Sequence, residues 1–297
     1  MAIQWYPGHM TKARRVIAET IPSQDVIIEV LDARMPAASE NPMLAELRKN
    51  KPCLKVLSKA DLAEPQVTAA WIEYFQTVRV EATVDRPQGR VRAVAISSDR
   101  QAETRNKIAA ACKELALHPS GPGKSVRALV VGIPNVGKST LINTLMERKV
   151  ANVGDEPAVT KAKQMVTLKN GMILTDHPGM LWPKIENQAA SFRLALSGSI
   201  PDSAIDYEGV ALFGAQVFLE RYPALLMARY KFKELPASPD SLLREIGKKR
   251  GAIRSGGIID MHKASGVLIH DYRSGALGRI TLELPVTPSP TALQPES

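Results

Sequence analysis

Cysteine is scarce in this chain, with Cys53 and Cys112 the only two among 297 residues. Two are too few for a disulfide framework, and both lie among apolar neighbours. Reduced, packed thiols and a cytoplasmic location are therefore expected. Aromatic residues make up 5%, so a nucleic-acid surface would depend on charge rather than on stacking platforms. Long apolar runs are also missing. No stretch approaches the roughly 18 residues of a membrane-spanning helix, and residues 1–15 are polar and basic with no apolar segment. Neither secretion nor a transmembrane segment is expected, and peripheral membrane contact is left open.

What the chain has in excess is positive charge. It carries 39 Lys and Arg against 30 Asp and Glu, for a net +9, which attracts phosphate-rich partners or anionic membranes without choosing between them. Hydrophobic residues at 44% and charged residues at 23% are ordinary globular usage. The length suits one large domain plus a smaller one.

Two short β-branched runs, 25–31 and 53–57, read as buried strands, and 91–96 as a third. Helical spacing covers 41–50, 65–75 and 103–117, and this strand–helix alternation predicts a parallel α/β sheet. Residues 119–125 form a flexible connector by composition, after which 126–131 restart the strand pattern. Around Asn170-Gly171, a two-residue turn signal, 164–168 and 172–175 predict an antiparallel hairpin. Beyond Ile200 the pattern turns helical, over 204–209, 211–222 and 241–249. Residues 285–297, with four prolines, are expected to be a disordered tail.

Gly132-Ile133-Pro134-Asn135-Val136-Gly137-Lys138-Ser139 matches G-x-x-x-x-G-K-[ST] between an apolar strand and a helix predicted over 140–147. Glycines let the backbone wrap closely, so that successive N–H groups and the helix N-terminus face the α- and β-phosphates of a nucleotide. Asn135, Val136, Gly137, Lys138, Ser139 and Thr140 are the candidate binding residues here. Lys138 would neutralise β/γ oxygens, and the Ser139 hydroxyl would ligate Mg²⁺. Asp176-His177-Pro178-Gly179 follows a second apolar strand. There the Asp176 carboxylate would hold Mg²⁺ through water while the Gly179 N–H senses the γ-phosphate. Thr160, in the intervening loop, can reach Mg²⁺ when a γ-phosphate draws that loop closed; an ordinary surface threonine is the alternative.

Ser58-Lys59-Ala60-Asp61 resembles the N-K-x-D guanine-recognition element of GTPases. The Asp61 carboxylate can accept from guanine N1–H and the N2 amino group, a donor pair adenine lacks, so an ATP-dependent enzyme is disfavoured. Ser58 stands where asparagine is usual, and its shorter side chain predicts a weaker or water-mediated tie to the base and phosphate loop. Ser97 and Ser98 resemble the later base-contacting loop, with a plain polar turn as the alternative.

Ser58 to Asp61 precede the phosphate loop by more than 70 residues, reversing the usual order. That order, with Trp5-Tyr6-Pro7-Gly8-His9-Met10, resembles the circularly permuted ribosome-assembly GTPases, specifically the bacterial ribosome biogenesis GTPase A group. The similar stretches include Leu31-Asp32-Ala33-Arg34-Met35-Pro36, Asn41-Pro42, the phosphate loop, Ile246-Gly247-Lys248-Lys249-Arg250-Gly251 and Asp271-Tyr272-Arg273-Ser274-Gly275. The resemblance implies an α/β fold: a circularly permuted P-loop GTPase domain over 1–203, joined by the linker at 119–125, with a smaller helical RNA-binding domain over 204–284. It further implies GTP/GDP as ligand, with Mg²⁺ and K⁺. The partner would be the large ribosomal subunit precursor and its rRNA rather than DNA.

GTPases commonly orient the attacking water with a glutamine directly after D-x-x-G. Met180 stands there and cannot do so. The resemblance associates His9 with catalysis, an RNA contact being the alternative, and associates Asn135 with K⁺, whose charge would stabilise the transition state. Residues 229–263 hold nine basic and four acidic side chains, a pattern that fits phosphate contacts, with Lys12, Arg14 and Arg15 as a second patch. The rival to a GTP-hydrolysing assembly factor is a nucleotide-gated RNA-binding scaffold with negligible hydrolysis.

Overall fold

The computed structural model describes residues 8–77, 89–120, 122–147, 164–182, 185 and 187–286, with the side chains of residues 8–12 and 164 outside the description. His9 and Lys12 therefore enter only as backbone of a helix, and Thr160 and the tail beyond residue 286 lie outside the described residues.

A six-stranded sheet forms the centre: β1 Val26–Asp32, β2 Cys53–Ser58, β3 Val91–Ala95, β4 Arg127–Gly132, β5 Gln164–Thr167 and β6 Ile173–Asp176. Its spatial order is β3-β2-β1-β4-β6-β5, parallel throughout except for the antiparallel β5–β6 pair. Every residue of β1 and β2 is buried, as a parallel sheet covered on both faces requires. The hairpin at β5–β6 turns over Leu168 to Gly171, with Gly171 at φ +83°. This is one residue longer than Asn170-Gly171 alone would make it.

Around the sheet lie α1 Gly8–Thr20, α2 Pro36–Ser39, α3 Pro42–Arg48, α4 Pro65–Thr77, α5 Gln101–Leu115 and α6 Lys138–Met146. The helices that follow are α7 Gln188–Leu196, α8 Tyr207–Arg221, α9 Pro223–Tyr230, α10 Pro239–Arg250 and α11 Met261–Arg273. No single helix among the described residues is long and apolar enough to cross a membrane.

Sequence reading divides α8 into two pieces near Gly209 and overlooks α7, α9 and α11. Gly209 does not break the helix. It sits in the first turn, where its N–H donates to the Asp206 side chain that caps the helix. The expected connector at 119–125 is tied down where it is described: Ser120 N–H donates to Asp25, and Pro122–Lys124 form a 3₁₀ turn. Asp25 also accepts from the Arg127 amide at 2.8 Å, which joins the connector to the start of β4.

One apolar cluster runs from the sheet through α7 and α8 into α10 and α11. The chain then returns. Ile280 N–H donates to Leu62 O, Leu282 N–H to Arg34 O, and Trp71 Nε1 to Glu283 O, fastening residues 280–283 beside the K-x-D element.

Candidate functional site

The carboxyl ends of β1, β2 and β4 open into a cleft of about 620 Å³, the place where parallel α/β sheets hold ligands. Ser58, Lys59, Asp61, Ser97 and Ser98 line one side, and Asn135, Gly137, Lys138, Ser139, Thr140 and Gly179 the other. The structure thus brings together most of the residues singled out in the sequence, Val136 and Asp176 not lining the cleft, although 76 positions separate Lys59 from Asn135, whose backbone carbonyl the Lys59 ammonium reaches at 2.8 Å.

The phosphate loop is shaped by left-handed backbone at Asn135 (φ 56°) and Gly137 (φ +98°). Gly179 approaches it so closely that a Cβ there would meet Lys138 Nζ and Pro134 Cα at 2.9 Å each. A side chain at 179 would prevent the D-x-x-G segment from lying against the loop. Ser58 tightens the join from the other side. Its hydroxyl reaches the Val136 carbonyl within the phosphate loop and lies 2.9 Å from the Leu31 carbonyl. The tie to the phosphate loop, expected to be weak or water-mediated, is direct, because the β2 end packs against Gly137, whose φ of +98° favours glycine.

The electrostatics of the cleft are those of an incomplete site. Asp61 Oδ1 and both Asp176 carboxylate oxygens are buried with no hydrogen-bond partner. Burial pushes the Asp176 carboxyl up to about 6 against the pull of the Lys138 charge. Burial likewise brings the Lys138 ammonium down to about 8, with Asp176 opposing. Lys138 Nζ donates to the Ile133 carbonyl at 2.7 Å. Buried polar atoms are ordinarily satisfied, so the orphaned oxygens of Asp61 and Asp176 fit a site that a ligand completes. Ser139 and Asp176 have the chemistry to hold Mg²⁺ alongside phosphate oxygens, and no cluster of three or more His, Cys, Asp or Glu that could hold a metal by itself occurs among the described residues.

Met180 is 1% exposed, its amide donating to the Gly132 carbonyl at 3.2 Å and its own carbonyl accepting from Asn41 Nδ2 at 2.9 Å. The position that often carries a catalytic glutamine belongs to the core. His177, to which the sequence assigns no role, is also buried.

Sequence reasoning missed the far wall of the cleft. Gly198, Asp202, Tyr207, His270, Arg273 and Ser274 complete it, several of them from α11. It missed as well the buried ion cluster beneath Lys59. There Asp32 accepts from Arg34 N–H, Nε and Nη2 and from Lys59 Nζ, while the Arg34 guanidinium lies 4.7 Å from the Tyr272 ring centre. Burial alone would raise the Asp32 carboxyl, but the Arg34 and Lys59 charges hold it far below the usual range. The only sequence signal was the Leu31–Pro36 stretch, whose role is invisible without its partner 238 residues away.

A phosphate loop leaving β4 and a K-x-D element leaving the earlier β2, on a sheet of this order, define a P-loop GTPase with its strand sequence circularly permuted. The family described as 50S ribosome-binding GTPase matches residues 127–202. The ribosome biogenesis GTPase A of Bacillus cereus is 42% identical over 293 residues, covering 96% of this chain and 95% of that protein. Two solved structures of Thermotoga maritima YlqF align with it. The GDP-bound one is 25% identical with a TM-score of 0.64 and covers 91% of this chain and 99% of that one. The GNP-bound one is 26% identical with a TM-score of 0.63, covering 92% and 98%. The chain belongs to the ribosome biogenesis GTPase A family.

Proposed function

We propose that the chain binds GTP with Mg²⁺ in this cleft, hydrolyses it slowly, and uses the GTP state to hold a late large ribosomal subunit precursor that it leaves after hydrolysis. The observation that carries the reading is the set of buried, unpartnered oxygens on Asp61, which lines the cleft, and on Asp176, which lies behind it within reach of the Lys138 charge. Asp61 would accept from the guanine N1–H and N2 amine, with Ser97 and Ser98 beside the ring. Lys138 would give up the Ile133 carbonyl for β/γ oxygens. Ser139, Asp176 and Thr160 would hold Mg²⁺, Asn135 would hold K⁺, and the Gly179 N–H would meet the γ-phosphate. When bound, the two cations supply positive charge beside the β/γ bridge. His9 is the proposed residue for positioning water.

The helical part over 204–284 is proposed as the rRNA-binding domain. Its cations are only partly committed. Arg244 and Lys248 pair with Asp240 and Glu245 on the exposed surface, and such pairs are weak enough to open for phosphate, whereas exposed Arg254 pairs with the buried Asp260. Asp271, outside the basic stretch, adds a fifth acid by pairing with Arg229. A cytoplasmic location follows from this reading.

Co-sedimentation with large-subunit particles from cells depleted of the protein tests it: more protein should pellet with a non-hydrolysable GTP analogue than with GDP, and equal pelleting refutes it. The burial of Met180 favours the rival scaffold reading with negligible hydrolysis. Single-turnover hydrolysis separates the two, since particles should accelerate GTP cleavage for an assembly GTPase and leave it unchanged for a scaffold.

A further inference from the structure

The end of α7 lies over the phosphate loop and is held by a residue from the far end of the chain. A helix leaves its last carbonyls without partners inside the helix. At α7 two of these, Ala195 O and Leu196 O, accept from Arg273 Nη2 and Nε at 2.9 and 3.0 Å. The same guanidinium pairs with Asp202 at 2.8 Å. Gly198 then turns the chain with φ +82°, its N–H on Ala195 O at 3.0 Å, and Ser199 N–H returns to Leu194 O at 2.9 Å. A Cβ on Gly198 would stand 3.3 Å from Arg273 Cζ, so the guanidinium packs directly on this turn.

The turn held in this way presents the Gly198 carbonyl to the phosphate loop, where it accepts from Asn135 Nδ2 at 2.8 Å. An amide held through its nitrogen has the direction of its oxygen fixed as well. We infer that Arg273 is a positioning residue for the phosphate loop, acting through the Gly198 carbonyl on the Asn135 side chain. This rests on the proposed reading of the cleft as a GTP site. It makes the helical part of the molecule a component of the nucleotide site: a shift of α11 that withdrew the guanidinium would release the α7 turn and, with it, Asn135.

A cation that merely capped α7 would stabilise the fold without any specific link to Asn135. A double-mutant cycle on the full chain separates these roles. The readout is the rate of fluorescent GDP release, with Mg²⁺ present, from wild type, Arg273→Gln, Asn135→Ala and the double variant. Arg273→Gln should speed release about five-fold, the size of a typical coupling between sites. The double variant should release no faster than the faster single one. Unchanged release from folded Arg273→Gln, or effects that multiply in the double variant, would overturn the inference. If Arg273→Gln melts at the assay temperature, Arg273→Lys replaces it. Lysine keeps a charge for Asp202 but lacks the planar fork that spans both carbonyls, so release should again accelerate, and a wild-type rate would overturn the inference equally. Failure of the underlying reading looks different: wild type would show no saturable GDP binding at all, and the inference would fall with it.

Discussion

Two groups of buried charges lie within a few residues of one another and are built on opposite terms. At the junction of β1 and α11, Asp32, Arg34 and Lys59 satisfy one another, and a second cluster joins Lys55 to Glu29 and Glu40. At the cleft, Asp61 Oδ1 and both oxygens of Asp176 behind it are buried without hydrogen-bond partners, and burial brings the Lys138 ammonium down to about 8. A buried charge is costly unless paired. The paired cluster therefore completes the fold, whereas the unpaired one is retained in spite of its cost to the fold, which is what a ligand site requires.

The sharpest way to break this comparison is to cut the paired cluster. Arg34→Met strands the Asp32 carboxylate beside Lys59 alone and should lower unfolding stability by about 3 kcal/mol in chemical denaturation. A variant as stable as wild type would place Arg34 outside the structural group. Lys138→Met should behave in the opposite manner, because it removes a desolvated charge from the free protein. GTP affinity should fall by about 100-fold, equivalent to about 3 kcal/mol, as measured by fluorescent-nucleotide titration, while the unfolding temperature of the nucleotide-free protein stays level or rises. A fall in that temperature would mean Lys138 is held for stability.

A smaller effect sharpens the ligand side. Asp61→Asn replaces an acceptor with a group that also donates, so guanine binding should weaken by about 1–3 kcal/mol. Xanthine nucleotides, which carry an oxygen in place of the N2 amine, should bind relatively better in competition titrations; an unchanged guanine preference would place Asp61 away from the base. The mildest effect concerns Asp260, the N-cap of α11. Its carboxyl is held at about 2 by the Arg254 hydrogen bond and then by the Lys263 amide. With the folded value below the ordinary 3.8, its stabilisation is complete above that value and is lost as the pH falls toward 2. Melting curves in acid should therefore show a shallower pH dependence in Asp260→Asn.

The local parts of this molecule were legible in its sequence. Strands β1, β2 and β4, the phosphate loop and the K-x-D element are contiguous patterns whose residues act on nearby backbone, and they are where the spacing puts them. What escaped were pairings of distant residues. Arg34 is beside Tyr272, Arg273 beside Leu196, and Asn135 beside Gly198, and no periodicity connects them. Helix α11 had a signal that was passed over: Asp260 as N-cap followed by Ala264, Leu268 and Tyr272 at four-residue spacing, all of them buried. Ser58 was read for its size against asparagine, but its partner is a backbone carbonyl 78 residues away that only the fold supplies.

The return of residues 280–283 to Leu62, Glu64 and Arg34 bears on the birth of the molecule as well as its finished form. Synthesis proceeds from the amino end, so the K-x-D element emerges from the ribosome early, yet its backing arrives only with almost the last described stretch of polypeptide. A nascent or truncated chain would carry the K-x-D element and the phosphate loop and still lack the brace behind them.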